Sequence, residues 1–150
     1  MTALKAKLRT DLTAAMKGRD ELTTATLRMA LTAVGTEEVA GKQARELSDA
    51  EVVQVLTREA KKRREAAEAF ENGGRPEQAA REKAEGEVLA RYLPAQLSDE
   101  ELTALVAQAI AETGAEGPKG MGLVMKALNP KIAGRAEGGR VAAAVKSALA

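Results

Sequence analysis

The sequence predicts an all-α protein, with an N-terminal bundle of about four helices followed by a small tail of about three short ones. Three observations carry this expectation. The 150 residues include 32 Ala and 16 Leu against 10 Val, two Ile, one Phe and one Tyr. Ala and Leu favour helices, whereas β-branched and aromatic residues favour strands. Apolar residues also recur at helical intervals, and two Ser-x-x-Glu capping boxes, at Ser48 and Ser98, mark helix starts. The scarcity of aromatics predicts close helix approach around a thin core.

Leu4, Leu8, Leu12 and Met16 stand at i, i+4 spacing and predict a first helix over 2–17, closed by Gly18. A second helix over 21–40 carries Leu22, Leu27, Ala30, Leu31, Val34 and Val39, and Gly41 ends it. Ser48 starts a long third helix carrying Val52, Val53, Val55, Leu56, Ala60, Ala67 and Phe70, stopped by Asn72, Gly73 and Gly74. Pro76 suits the first turn of a fourth helix reaching about residue 92, with Ala80, Ala84, Val88 and Leu89 inward. Pro94 then breaks the chain, because the residue before a proline is pushed out of the α region.

Ser98 caps a fifth helix carrying Leu102, Leu105, Val106, Ala109 and Ile110, ended by Gly114. Residues 114–122 read as a loop or weakly helical connection. Short helices over 121–128 and 140–149, with Pro130 and Gly134 between them, complete the chain. The break at 93–97 divides it into an N-terminal helical domain, 1–93, and a small C-terminal helical tail, 98–150, with a hinge about 94–97.

Composition narrows the chemistry. There is no Cys and no His, which excludes disulfides, thiolate catalysis, Cys-based zinc sites and the Ser-His-Asp triad. Ser48 and Ser98 are accounted for as helix caps, and Ser147 has no His to activate it. Residues 117–122, Gly-Pro-Lys-Gly-Met-Gly, lack the Gly-Lys-Ser/Thr ending of a P-loop. No catalytic residue, metal or cofactor is expected. No apolar run reaches membrane-spanning length, and the start of the chain lacks a signal-peptide core, so a cytoplasmic protein is expected.

The net charge of +1 hides a local segregation. Residues 98–116 hold five acids and no base, whereas 117–150 hold Lys119, Lys126, Lys131, Arg135, Arg140 and Lys146 against Glu137 alone. Cations beside Gly-rich turns suit a phosphate backbone, and Lys131 and Arg135, which flank Gly134, stand first among them. A second basic cluster, Lys61, Lys62, Arg63 and Arg64, fits either a solvated ion-paired face or a second RNA contact. The near absence of aromatics disfavours base stacking, so recognition of a folded RNA by shape and phosphate fits better.

Lys62-Arg63-Arg64-Glu65, Phe70-Glu71, Gly74-Arg75 and Tyr92-Leu93-Pro94-Ala95-Gln96-Leu97-Ser98 resemble the GatB/YqeY family. The tail agrees, with Gly120-Met121-Gly122, Val124-Met125, Pro130-Lys131 and Gly134-Arg135-Ala136. The resemblance implies a module like the helical end of the tRNA-dependent amidotransferase B subunit, which is understood to contact the tRNA body. It implies tRNA as a partner, possible association with an aminoacyl-tRNA-modifying enzyme, and inherited descriptions as a carbon–nitrogen ligase with glutamine as amide donor. The catalytic cradle that precedes the module in the full subunit is missing from this chain. A protein–protein adaptor whose helical grooves bind a partner chain, without RNA, is the alternative. The purified protein is accordingly expected to turn over no glutamine to glutamate above a heat-treated control.

Overall fold

A computed structural model describes residues 2–150. Among the described residues it contains no strand and seven helices: α1 (Ala3–Lys17), α2 (Glu21–Glu38), α3 (Asp49–Asn72), α4 (Pro76–Ala90), α5 (Asp99–Thr113), α6 (Met121–Ile132) and α7 (Gly138–Leu149). A short 3₁₀ turn, Pro118–Gly120, precedes α6. The chain forms two compact units, one ending at Leu93 and the other spanning Pro94–Ala150.

The helix starts follow local chemistry. The Asp20 carboxylate accepts the Thr23 backbone N–H and caps α2. Ser48 and Ser98 each accept the N–H of a glutamate three residues on, while that glutamate reaches back to the serine N–H. Both predicted capping boxes therefore form, and each satisfies donors that a helix start leaves without intrahelical partners.

In the first unit α1, α2, α3 and α4 enclose a core centred on Leu8, Leu27, Val34, Leu47, Leu56 and Leu89, all fully buried. The stripe on α1 rotates out of it. Met16 is 49% exposed and Ala15 is buried in its stead. Strict i, i+4 spacing advances about 40° beyond a full turn at each step, so the fourth member has left the face of the first. The longest helix, α3, forms an αα-hairpin with α4. Its first half enters the core through Val52, Val55 and Leu56, whereas beyond residue 60 the buried apolar side chains of the pair are Ala67 and Ala79 until α4 returns to the core at Val88 and Leu89. Ala80, expected inward, is exposed, and Ala79 takes that role. The α4 helix stops at Ala90, where Arg91, Tyr92 and Leu93 switch to bonds with residues three back.

In the second unit α5, α6 and α7 pack around Leu97, Val106, Val124, Leu128, Val141 and Val145. Leu97 is sewn in by its backbone. Its N–H donates to the Arg135 carbonyl at 2.7 Å, and its own carbonyl accepts from the Arg140 guanidinium at 3.0 Å. The α6 helix does not stop before Pro130 but runs through it to Ile132. Proline removes the N–H that would bond to the Lys126 carbonyl. Lys126 and Pro130 both face solvent, where water can take that carbonyl, so the lost bond is not a buried one. The α7 helix begins at Gly138, two residues earlier than expected.

Two glycines behave oppositely on substitution. A Cβ placed on Gly86, inside α4, would meet nothing nearer than Arg63 Cβ at 3.8 Å. Gly86→Ala should raise stability by about 0.5–1 kcal/mol, since alanine is the better helix former and fits without strain. A Cβ on Gly120 would lie 2.7 Å from Ala115 Cβ. Gly120→Ala should lower stability by roughly 1–3 kcal/mol through overpacking. Urea unfolding of the two variants beside the parent checks both signs.

Candidate functional site

The six predicted cations of the second unit fall into two groups. Lys131 Nζ lies 3.2 Å from Glu112 on α5. Arg140 lies 2.9 Å from Asp99 at the start of α5 and also holds the Leu97 carbonyl. Arg135 Nε donates to the Ala95 carbonyl at 3.5 Å, and its charge helps to hold the Glu101 carboxyl low, after the Ser98 hydrogen bonds. The Gly134 turn is likewise occupied, because its carbonyl accepts from Gln96 and the Arg135 N–H donates to Ile132. Lys119, Lys126 and Lys146 are different: all are exposed, and none makes an ion pair or hydrogen bond among the described residues.

The reason is topological. The acids precede the bases along the chain, but α5 packs against both α6 and α7. Charge that is segregated in sequence is therefore interleaved in space. Residues 94–150 contain six acids and six bases, so the unit's side-chain charge is balanced. The free cations are those that meet no carboxylate of α5. Lys126 sits on the solvent face of α6, three residues from Leu123, which is 53% exposed.

The second cluster divides in the same way. Lys61 approaches Glu65 at 3.9 Å and Lys62 approaches Glu59 at 3.3 Å, both pairs open to solvent on the lysine side and worth little in stability. Arg64 is exposed. Arg63 instead turns inward between helices. Its Nε lies 3.3 Å from Glu82, Nη1 3.4 Å from Glu85 and Nη2 4.0 Å from Glu59. Glu85 also accepts from Arg81, which forms a two-pronged pair with Glu21 at 2.8 and 3.0 Å. These pairs tie α2, α3 and α4 together, which gives Arg63 a structural role within the unit.

Sequence reasoning missed a third cluster. The Tyr92 hydroxyl donates to Asp11 Oδ2 at 2.6 Å, and Lys7 donates to the same oxygen at 2.9 Å. The Lys7 ammonium lies 5.0 Å from the Tyr92 ring centre. Burial, reinforced by the Asp11 hydrogen bond, pushes the Tyr92 hydroxyl well above the ordinary phenol value. The Tyr92 and Lys7 hydrogen bonds hold the Asp11 carboxyl below its ordinary value. The signal in the sequence was the single tyrosine; its partner lies 81 residues away and no local pattern marks it.

Among the described residues, no group of three or more acids is placed to hold a metal ion. No helix is long and apolar enough to cross a membrane. The molecule is thus a small, charge-balanced, all-α protein of two helical units. The model of the Yqey-like protein family matches residues 5–149, and the chain belongs to that family. No curated protein matches it.

The acid response follows from the caps. The Arg45 guanidinium, then the Ser48 N–H, brings the Glu51 carboxyl down from 4.5 to about 2. A carboxyl depressed in the folded state stabilises above its ordinary value, and this contribution is lost as pH falls through the folded value. Glu51→Gln should therefore lower Tm near pH 7 and flatten its decline between pH 4.5 and about 2. Thermal melts of both proteins across that range read the difference.

Proposed function

We propose that the chain is a non-catalytic helical module that binds folded tRNA through its second unit, in association with an enzyme that modifies aminoacyl-tRNA. The observation that carries this reading is the set of three exposed, unpaired cations, Lys119, Lys126 and Lys146. Cations without internal partners can neutralise phosphates without first breaking an ion pair. Lys131 and Arg140 would have to leave carboxylates, and Arg135 a backbone carbonyl, so they are supporting contacts at most. The choice of tRNA among folded RNAs rests on the resemblance to the B subunit of the tRNA-dependent amidotransferase. In this reading the protein acts in the cytoplasm. The expected hinge about 94–97 turns at its start in this reading, because Ala95, Gln96 and Leu97 all bond within the second unit.

Lys119→Ala, Lys126→Ala and Lys146→Ala together should weaken binding of folded tRNA by roughly tenfold or more near 0.1 M salt. They should also flatten the salt dependence by about one counterion per lost phosphate contact. Exposed substitutions of this kind usually change stability by less than ~0.5 kcal/mol, so the melting curve should hold. Unchanged affinity and salt slope in the triple variant would leave the adaptor as the better account.

A further inference from the structure

We propose a second binding surface, independent of the cationic one: the groove between α3 and α4 docks a basic amphipathic helix of another protein. The groove encloses about 580 Å³. Its floor is made by Ala60 and Ala67 from α3 and by Gly86 and Ala90 from α4. None of these side chains is larger than a methyl group. An incoming helix can therefore approach at the near end of the usual interaxial range of about 8–10 Å. On α3 the lining runs from Ala60 to Glu71, which corresponds to roughly 16 Å, or three helical turns. That length suits a segment of about ten residues presenting small side chains at i, i+3/i+4 and i+7.

Charge selects the occupant. Three cations line the groove and none is free: Arg63 is taken by Glu82 and Glu85, Lys83 by Glu71, and Arg64, exposed on the α3 lip, also has a partner. Glu68 and Glu87, exposed and lining the same groove, make no ion pair or hydrogen bond among the described residues. Glu82 Oε2, screened from solvent, faces Arg63 Nε and is not offered to a partner. The groove thus presents acceptors in need of donors over an apolar floor. A second copy would set Glu68 and Glu87 against their own kind, and a phosphate backbone would meet the same two carboxylates. A helix with lysine or arginine beside its apolar stripe supplies both what the floor lacks and what the lips lack.

A photocrosslinking residue, p-benzoylphenylalanine, placed at Ala90 in the full chain tests this. Cells are irradiated and the crosslinked peptides are sequenced. The expected product is one recurrent segment of helical apolar periodicity flanked by lysine or arginine. A synthetic peptide of that segment should bind the purified protein. Glu68→Lys with Glu87→Lys should reduce both crosslink yield and peptide affinity at least tenfold, with thermal melts unchanged. The Lys119/Lys126/Lys146 alanine variant should retain the crosslink in full, which separates this surface from the tRNA reading. Crosslinks to RNA, to a second copy of the chain, or to no recurrent segment would overturn the proposal. So would a product indifferent to charge reversal.

Discussion

Helices that face each other only through alanine can be held together only by coming close, and the far half of the α3/α4 hairpin is built under that constraint. Burying a leucine or valine contributes roughly 1.5–3 kcal/mol, and a methyl group much less. The first unit therefore concentrates Leu8, Leu27, Leu47, Leu56 and Leu89 at one site where its four helices meet. Beyond that site the α3/α4 hairpin depends on Ala67 and Ala79, whose small side chains let the helices lie near each other. Ion pairs supplement the thin packing. Arg63 and Arg81 bind glutamates from three helices and fix the azimuth of α3 and α4, which methyl groups alone specify poorly. Such half-buried pairs hold geometry more than they add stability, because desolvation offsets much of the attraction.

The helix starts were legible because they are written in short-range chemistry. Ser48, Ser98 and Pro76 act on neighbours within three residues, and Asp20 does the same at α2 although sequence reasoning missed it. Helix faces were legible to within a residue or so, with Ala15 for Met16 and Ala79 for Ala80, while Val39, read into the stripe of the second helix, lies beyond the end of α2 and is 63% exposed. Pro130 misled as a stop signal because its cost depends on where the orphaned carbonyl points, and that is a tertiary property. The candidate sites were less legible. Whether Lys131 or Lys126 is free depends on which of them lies near α5, and Arg63 looks in sequence like its neighbours Lys62 and Arg64. Tyr92 and Asp11 meet only once the unit has folded.

The same geometry explains why the two proposed surfaces differ in sign. In the second unit acids on α5 pair with the nearest bases on α6 and α7, and the cations left unpaired are Lys119, Lys126 and Lys146, beside the unpaired acids Glu100 and Glu116. In the α3/α4 groove Arg63 and Lys83 are consumed by the hairpin's cross-ties, and Glu68 and Glu87 are left unpaired. A nearly neutral protein thereby keeps unpaired charges of both signs at its surface without a net excess of either.

The anchoring of Leu97 sets an order of events during synthesis. All elements of the first unit have been made by the time Leu93 is added, so its core can close while the rest of the chain is still being assembled. The second unit has no such early completion. Its first core residue, Leu97, is bonded to Arg135 and Arg140, and Val141, Val145 and Leu149 supply one wall of its interior. A chain cut at Ile132 would therefore leave the α7-facing sides of α5 and α6 uncovered. The core of the second unit is thus complete only once α7 has joined it, whereas the first unit needs nothing beyond Leu93.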